Sequence, residues 1–287
     1  MRFGLVLPFS GDAPRMVAEA SRAAELGFDG VFATDHLFVP GHPERATLEP
    51  FSLLSAIAVA CPGLHVGTLV ARVGLRHPSV LARMSAALDD LSGGRAIIGL
   101  GSGDSLDRPE NEAFGLPSPT DRAERLTMLT ETADVLRALF RGRVWSGGEA
   151  TPAINGRLAP MPGREDGPPI WVGGLSEEVV RVAAEHADGW NGWGVSAEVF
   201  RERARMLEGT GVEATWAGIA TLGNDPGDAA RRAGERRARG LPEAWAGGVG
   251  DMTGFLTELA EAGATWAMFR LPLDRAEVLA GLFAEVR

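Results

Sequence analysis

The chain alternates short apolar runs with stretches of helical period, and the alternation repeats from end to end. Residues 3–7, 30–34, 65–70, 96–98, 169–173, 189–191, 214–222 and 265–271 read as strands, because each is a mostly apolar run closed by Gly, Pro or a polar turn. Helical stretches separate them. The first opens at Asp12 or Pro14 and runs to Leu26, with Gly27 as its C-terminal glycine. Others cover 51–60 and 78–91, the latter stopped by Gly93. A long helix is capped by Thr120 and reaches about Phe140, with Leu126, Leu129, Ala133, Leu136 and Leu139 near helical spacing. Residues 176–186, 197–207, 227–238, 251–262 and 275–286 complete the set. Stretches 35–50 and 105–119 read as polar loops. The Gly- and Pro-rich stretch 142–168 reads as an insertion with a short hairpin.

Strands that are apolar on both faces belong to a parallel sheet covered on both sides. Strand–helix repeats of this number predict an α/β protein, a single (β/α)8 barrel spanning 1–287 as one domain, rather than an open doubly wound sheet. Barrels of this kind keep their sites at the carboxyl ends of the strands.

Composition narrows the chemistry. All 28 basic residues are Arg, which excludes a Schiff-base lysine and a Walker A lysine. Tyr is absent too, so no tyrosine acid or base is available. The single cysteine, Cys61, precludes an internal disulfide and a cysteine zinc cluster. A net charge of −10 argues against broad nucleic-acid or anionic-membrane binding, while leaving room for a local basic pocket. The opening MRFGLVLPFS is interrupted by Pro8 and does not read as a signal peptide, and no apolar run has membrane-spanning length. A cytoplasmic protein is expected.

The strand-end residues carry the candidate chemistry. The run from Arg95 to Asp104 is an apolar strand closing in Gly99, Gly101 and Gly103 around Ser102. It suits a cofactor floor, with Asp104 as an acid or as a turn residue. Its GxGxG spacing is not the dinucleotide fingerprint. Asp35 and His36 follow the second strand, where His36 suits proton handling; the plainer alternative makes Asp35 a loop cap and His36 its surface neighbour. Gly173, Gly174, Leu175 and Ser176 join a strand to a helix N-terminus, a place that receives phosphate, or that Ser176 simply caps. Trp190 and Trp193 either wall a pocket or pack. Asp35, His36 and His42 lack the rest of a ligand set, so no metal site is expected.

Taken in order, FGLVLP, GFDGVFATDHL, GTLVAR, GLGSGD and PPIWVGGLSEE with its DGW resemble the bacterial luciferase-like family of flavin and deazaflavin barrel enzymes. The likeness runs from Phe3 to the AEAGATWAMFRLP stretch. It implies a (β/α)8 barrel with an excursion such as 142–168. It implies an oxidoreductase using coenzyme F420 for hydride transfer, with TDH similar to that branch. Two alternatives are a monooxygenase using reduced FMN and O2, served by a separate reductase, and a non-catalytic flavin-binding protein. By resemblance His36 is an active-site base or substrate contact. The carboxylate at Asp104, usually Glu, is a proton donor, here one methylene shorter. A non-proline cis peptide is implied at Leu69–Val70, behind the cofactor ring. Asp35, Leu69, Val70, Gly101, Ser102, Gly103, Gly173, Gly174, Leu175 and Ser176 are the implied cofactor contacts. A small-molecule substrate would meet Trp190 and Trp193 and the loops at 35–50, 104–118 and 142–168. The family often forms homodimers.

Overall fold

The computed structural model describes all residues except 104–106, 118, 120, 160, 239–244 and 287. Its strands are β1 (Arg2–Val6), β2 (Gly30–Ala33), β3 (Phe38–Val39), β4 (His42–Ala46), β5 (His65–Arg72), β6 (Ala96–Gly101), β7 (Ile170–Gly173), β8 (Gly189–Trp193), β9 (Glu213–Leu222), β10 (Trp245–Gly247) and β11 (Ala264–Arg270). Its α-helices are α1 (Ala13–Glu25), α2 (Pro50–Ala60), α3 (Pro78–Ser92), α4 (Arg108–Ala113), α5 (Arg122–Phe140), α6 (Glu177–His186), α7 (Ala197–Ala204), α8 (Pro226–Ala238), α9 (Val249–Glu261), α10 (Leu273–Ala280) and α11 (Phe283–Val286). Parallel pairing runs β11–β1–β2–β5–β6–β7–β8–β9, and β9 returns to β11, so the sheet closes on itself. This is the (β/α)8 barrel that the repeats predict. The last residues of β9 run past the closed ring and pair with β10.

The two-residue period of each strand sorts its side chains into two layers. Phe269, Ala267 and Leu5 face outward into the shell shared with the helices. Val6, Phe32, Ile97, Trp171, Trp266 and Met268 face inward. Phe32 and Trp171 stack at 5.9 Å, and Trp266 meets both edge-on, which plugs the barrel with aromatic rings. The helices dock through their apolar positions. In α2 these include Leu53, Leu54, Ile57 and Ala58, and its N-cap is Glu49, whose carboxylate accepts from Ser52 N.

The insertion is tied down by two buried acids: Asp89 of α3 pairs with Arg164 at 2.5 Å, and Glu131 holds its hairpin. Trp145 and Ile154 form a bridge that makes the expected hairpin. Its turn hangs on Glu131 of α5, whose carboxylate accepts the backbone N–H groups of Ala150 at 3.0 Å and Thr151 at 2.7 Å, together with that of Glu149. Burial raises this carboxyl, but the three donors outweigh it and hold the group below its usual value. The clasp is therefore complete above the ordinary carboxyl range and is lost as pH falls through the lowered value. Glu131→Gln, which brings an N–H to face N–H donors, is expected to cost about 1–3 kcal/mol in denaturant unfolding and to expose the hairpin at 145–154 to protease.

Where the structure departs from the sequence pattern, tertiary pairing is the cause. The stretch expected as a polar loop at 35–50 contains the hairpin β3–β4, whose second strand, HPERA, is exposed throughout and shows no apolar alternation. The stretch 105–119 contains α4, a short helix. The three-residue β10 lies in a glycine-rich run with no pattern of its own and forms against the overhanging end of β9.

Candidate active site

The carboxyl ends of the strands form a mouth organised around a bulge in β5. Thr68 pairs with Ile98 and Ala71 with Leu100, so β5 spends one residue more than β6 across this interval. The extra residue falls at Leu69–Val70, and that peptide bond is cis. Leu69 is buried with the inward layer, and Val70 packs against it. The glycines at 99, 101 and 173 make room for the Val70 side chain. A methyl group on Gly101 would overlap Val70 Cγ2, and one on Gly173 would lie 2.8 Å from Cγ1. The group that Gly101 and Gly173 admit so closely is Val70, whereas at Gly99 it is first the Thr68 carbonyl oxygen. Gly103 turns the chain with φ near +70° toward Asp107. Beside it, a cavity of about 430 Å³ is lined by Arg72, Ser102, Gly103, Asp107, Arg108 and Arg125, among others.

His36 stands just past β2 and is held from behind. Its Nδ1 lies 2.7 Å from Glu110 Oε1. The other oxygen of Glu110 accepts from Leu37 N at 2.7 Å and from Arg72 Nη2 at 3.1 Å. Thr47, just beyond β4, donates its hydroxyl to the His36 carbonyl, so the hairpin braces the same residue. Glu110 is fully buried on α4. Burial raises its carboxyl, while His36, the Leu37 N–H and Arg72 together bring it below its ordinary 4.5. These pairings are therefore complete above pH 4.5 and are lost as pH falls through the lowered value. An ionised Glu110 can only accept, so the proton of a neutral imidazole sits on Nδ1, and Nε2 keeps its lone pair for a ligand.

Glu110 escaped the sequence reading because it sits in a stretch taken as loop. The available signal was Pro109 followed by an acid, the first turn of a short helix.

The other expected site residues divide. Trp193 packs against the inward layer at the mouth. Trp190 does not face it, correcting its assignment as a pocket wall. It is wholly buried on the helix side, stacked on Phe200 at 5.4 Å, with Nε1 donating to the Gly174 carbonyl. Asp35 is engaged within the protein. It is 3% exposed, and its oxygens accept from Arg72 N and from both terminal nitrogens of Arg76. It fixes the loop ends of β2 and β5 to one another. Asp104 lies outside the described residues.

Gly174 and Leu175 follow β7 and lead to Ser176, which caps α6 through a long bond from Val179 N. The two acids of the first turn are drawn aside: Glu177 pairs with Arg181 at 3.0 Å and Glu178 with Arg122 at 2.7 Å. Their charge thus opposes an anion at this helix end less than the sequence suggests.

His36, Asp107 and Glu110 each offer a ligand atom within 4.8 Å of the others. The Arg72 guanidinium already lies between the two acids, 2.9 Å from Asp107 and 3.1 Å from Glu110. The chain thus supplies the cation itself, and the cluster suits a fixed ion-pair network rather than a metal ion.

Comparison with known proteins agrees with this architecture. The chain is 34% identical over 195 residues to an F420-dependent glucose-6-phosphate dehydrogenase of Beutenbergia cavernae. That match takes in 66% of this chain and 56% of the relative, so the chain spans little more than half the relative's length. Among solved structures, an F420-dependent secondary alcohol dehydrogenase in complex with an F420-acetone adduct superposes with a TM-score of 0.83, at 17% identity, over 100% of this chain and 99% of that one. An EDTA monooxygenase from Chelativorans sp. BNC1 gives a TM-score of 0.79 at 14% identity, over 100% of this chain and 92% of that one. These two likenesses establish the fold. Residues 1–238 match the model of the luciferase-like monooxygenase family, and the chain belongs to that family.

Proposed function

We propose that this chain is an oxidoreductase that binds coenzyme F420 and serves hydride transfer to or from a small organic substrate. The observation that carries the reading is the His36–Glu110 pair at the mouth, beside the Leu69–Val70 bulge. The family and the F420-dependent relative at 34% identity support the cofactor. The residues fit a flat, phosphate-bearing group. Val70 offers an apolar back wall, and the turn at Gly173–Ser176 offers backbone donors at a helix end whose acids are engaged elsewhere. When bound, the deazaflavin supplies the hydride chemistry, and the protein supplies orientation and electrostatics.

The chain's own part is the proton. His36 Nε2 accepts it from a substrate hydroxyl when an alcohol is oxidised, or returns it when a carbonyl is reduced. Glu110 keeps the ring turned and stabilises the imidazolium that forms. Asp104 is a further proton donor in this proposal. The aromatic plug beneath the mouth closes the site from below.

The family's monooxygenase members give the second reading, reduced FMN with O2 and a separate reductase. A paired fluorescence titration with F420 and FMN, each oxidised and reduced, separates the two. Selective deazaflavin binding is expected. Selective binding of reduced FMN, with O2 consumed, would replace the proposal by the second reading. Turnover with any donor would remove a non-catalytic role.

A further inference from the structure

The mouth contains a buried guanidinium, Arg270, that pairs with no carboxylate among the described residues. Along β11 the inward row runs Trp266, Met268, and then Arg270 at the carboxyl end. Its Cζ lies 3.8 Å from the centre of the Phe9 ring and 5.6 Å from that of Trp193. Nη2 donates to Thr34 Oγ1 at 3.3 Å. Nε and Nη1 are sealed from solvent and have no hydrogen-bond partner among the described residues. The neighbouring arginines are unlike it: Arg72 pairs with Asp107 and Glu110, and Arg76 with Asp35 and Glu49. Burial pulls the Arg270 guanidinium down to about 9.

A buried cation of this kind is costly to keep, and aromatic faces repay only part of the cost. Its fork of N–H donors matches a carboxylate or a phosphate. The ring nearer to it belongs to Phe9, in the bend after β1, and the other to Trp193 at the end of β8. The residue as a whole is half-buried. Phe9 also meets His36 edge-on at 5.4 Å, so the guanidinium and the imidazole flank one ring.

We propose that Arg270 anchors an anionic group, a carboxylate or phosphate, of the small molecule bound in the mouth, with Nε and Nη1 as its donors. The substrate class is then an organic acid or phosphate ester whose reacting carbon lies a few bonds from the anion, within reach of His36. This assignment of the substrate rests on the mouth being the substrate end, as proposed above.

The probes are sodium acetate and inorganic phosphate, read as saturable shifts of melting temperature at constant ionic strength for the wild type, Arg270→Lys and Arg270→Met. At least one probe is expected to stabilise the wild type, with binding about 10- to 100-fold weaker in Arg270→Met and partly retained in Arg270→Lys. Without anion, Arg270→Met should melt no lower than the wild type, since an unpaired cation has been replaced by an apolar chain. Repeating the titration with F420 saturating separates the sources. Anion binding that persists assigns the anchor to the substrate, and binding that disappears assigns it to the cofactor's own phosphate. Equal shifts in wild type and Arg270→Met, no shift in either, or a marked loss of stability in anion-free Arg270→Met would overturn the anchor. Failure to bind F420 would overturn only the cofactor reading, because the anion titration does not depend on it.

Discussion

Replacing His36 by Ala is expected to lower turnover about 10²- to 10⁴-fold, the usual contribution of a positioned acid–base group, while cofactor affinity changes by less than about threefold (below 1 kcal/mol). The reasoning is geometric. Nδ1 is committed to Glu110 and Nε2 is the nitrogen left for substrate. Removing the ring takes away the proton acceptor but leaves the Val70 wall and the turn at 173–176 in place. Glu110→Gln is the companion variant. An amide oxygen still accepts the Nδ1 proton, but the negative charge that stabilises an imidazolium is gone, so kcat should fall with KM little changed. Because Glu110 acts through His36, Glu110→Gln in a His36→Ala background should cost almost nothing further in kcat. Steady-state kinetics on the four forms checks this. A His36→Ala enzyme with wild-type turnover would take His36 out of the mechanism.

Gly101→Ala is expected to lower stability by about 1–3 kcal/mol, the usual cost of overpacking, and to weaken cofactor binding at least about tenfold if the displaced bulge costs binding 1.4 kcal/mol or more. The added methyl overlaps Val70 Cγ2, so either β6 or the bulge must shift. β6 is flanked by β5 and β7 and buried along its length, which leaves the bulge to move. Val70→Ala in the same chain should recover most of the lost stability, because it removes the atom in collision. Denaturant unfolding of the four-member cycle gives the coupling directly. An additive cycle would mean that Gly101 serves something other than Val70.

The barrel was legible in the sequence because its evidence is local. Apolar runs such as AIIGLG and IWVG and the helical spacing of 126–139 each report their own state, and their alternation reports a parallel sheet covered by helices. The position of the candidate site's strand-end residues was legible for the same reason. His36 and the Gly173–Ser176 turn sit at strand ends, and in a parallel barrel those ends converge. The cis bond at Leu69–Val70 followed from resemblance, because nothing in GTLVAR marks an extra residue in a strand.

Composition and period by themselves determined the layer architecture and the end of the barrel where chemistry gathers. They also determined which chemistries are closed to a chain without Lys or Tyr and with one cysteine. Only the tertiary structure decided which polar groups meet. Glu110 lies 74 residues from His36, and both are needed to fix a tautomer. Trp190 and Trp193 look alike in DGWNGW, yet two-residue pleating and burial send one into the helix layer and the other to the mouth. Arg72, Arg76 and Arg270 are the same residue in the sequence. Folding gives two of them carboxylates and leaves Arg270 in the mouth with only a hydroxyl and two aromatic faces among the described residues, because electrostatic partners are set by proximity in space, which no local pattern encodes.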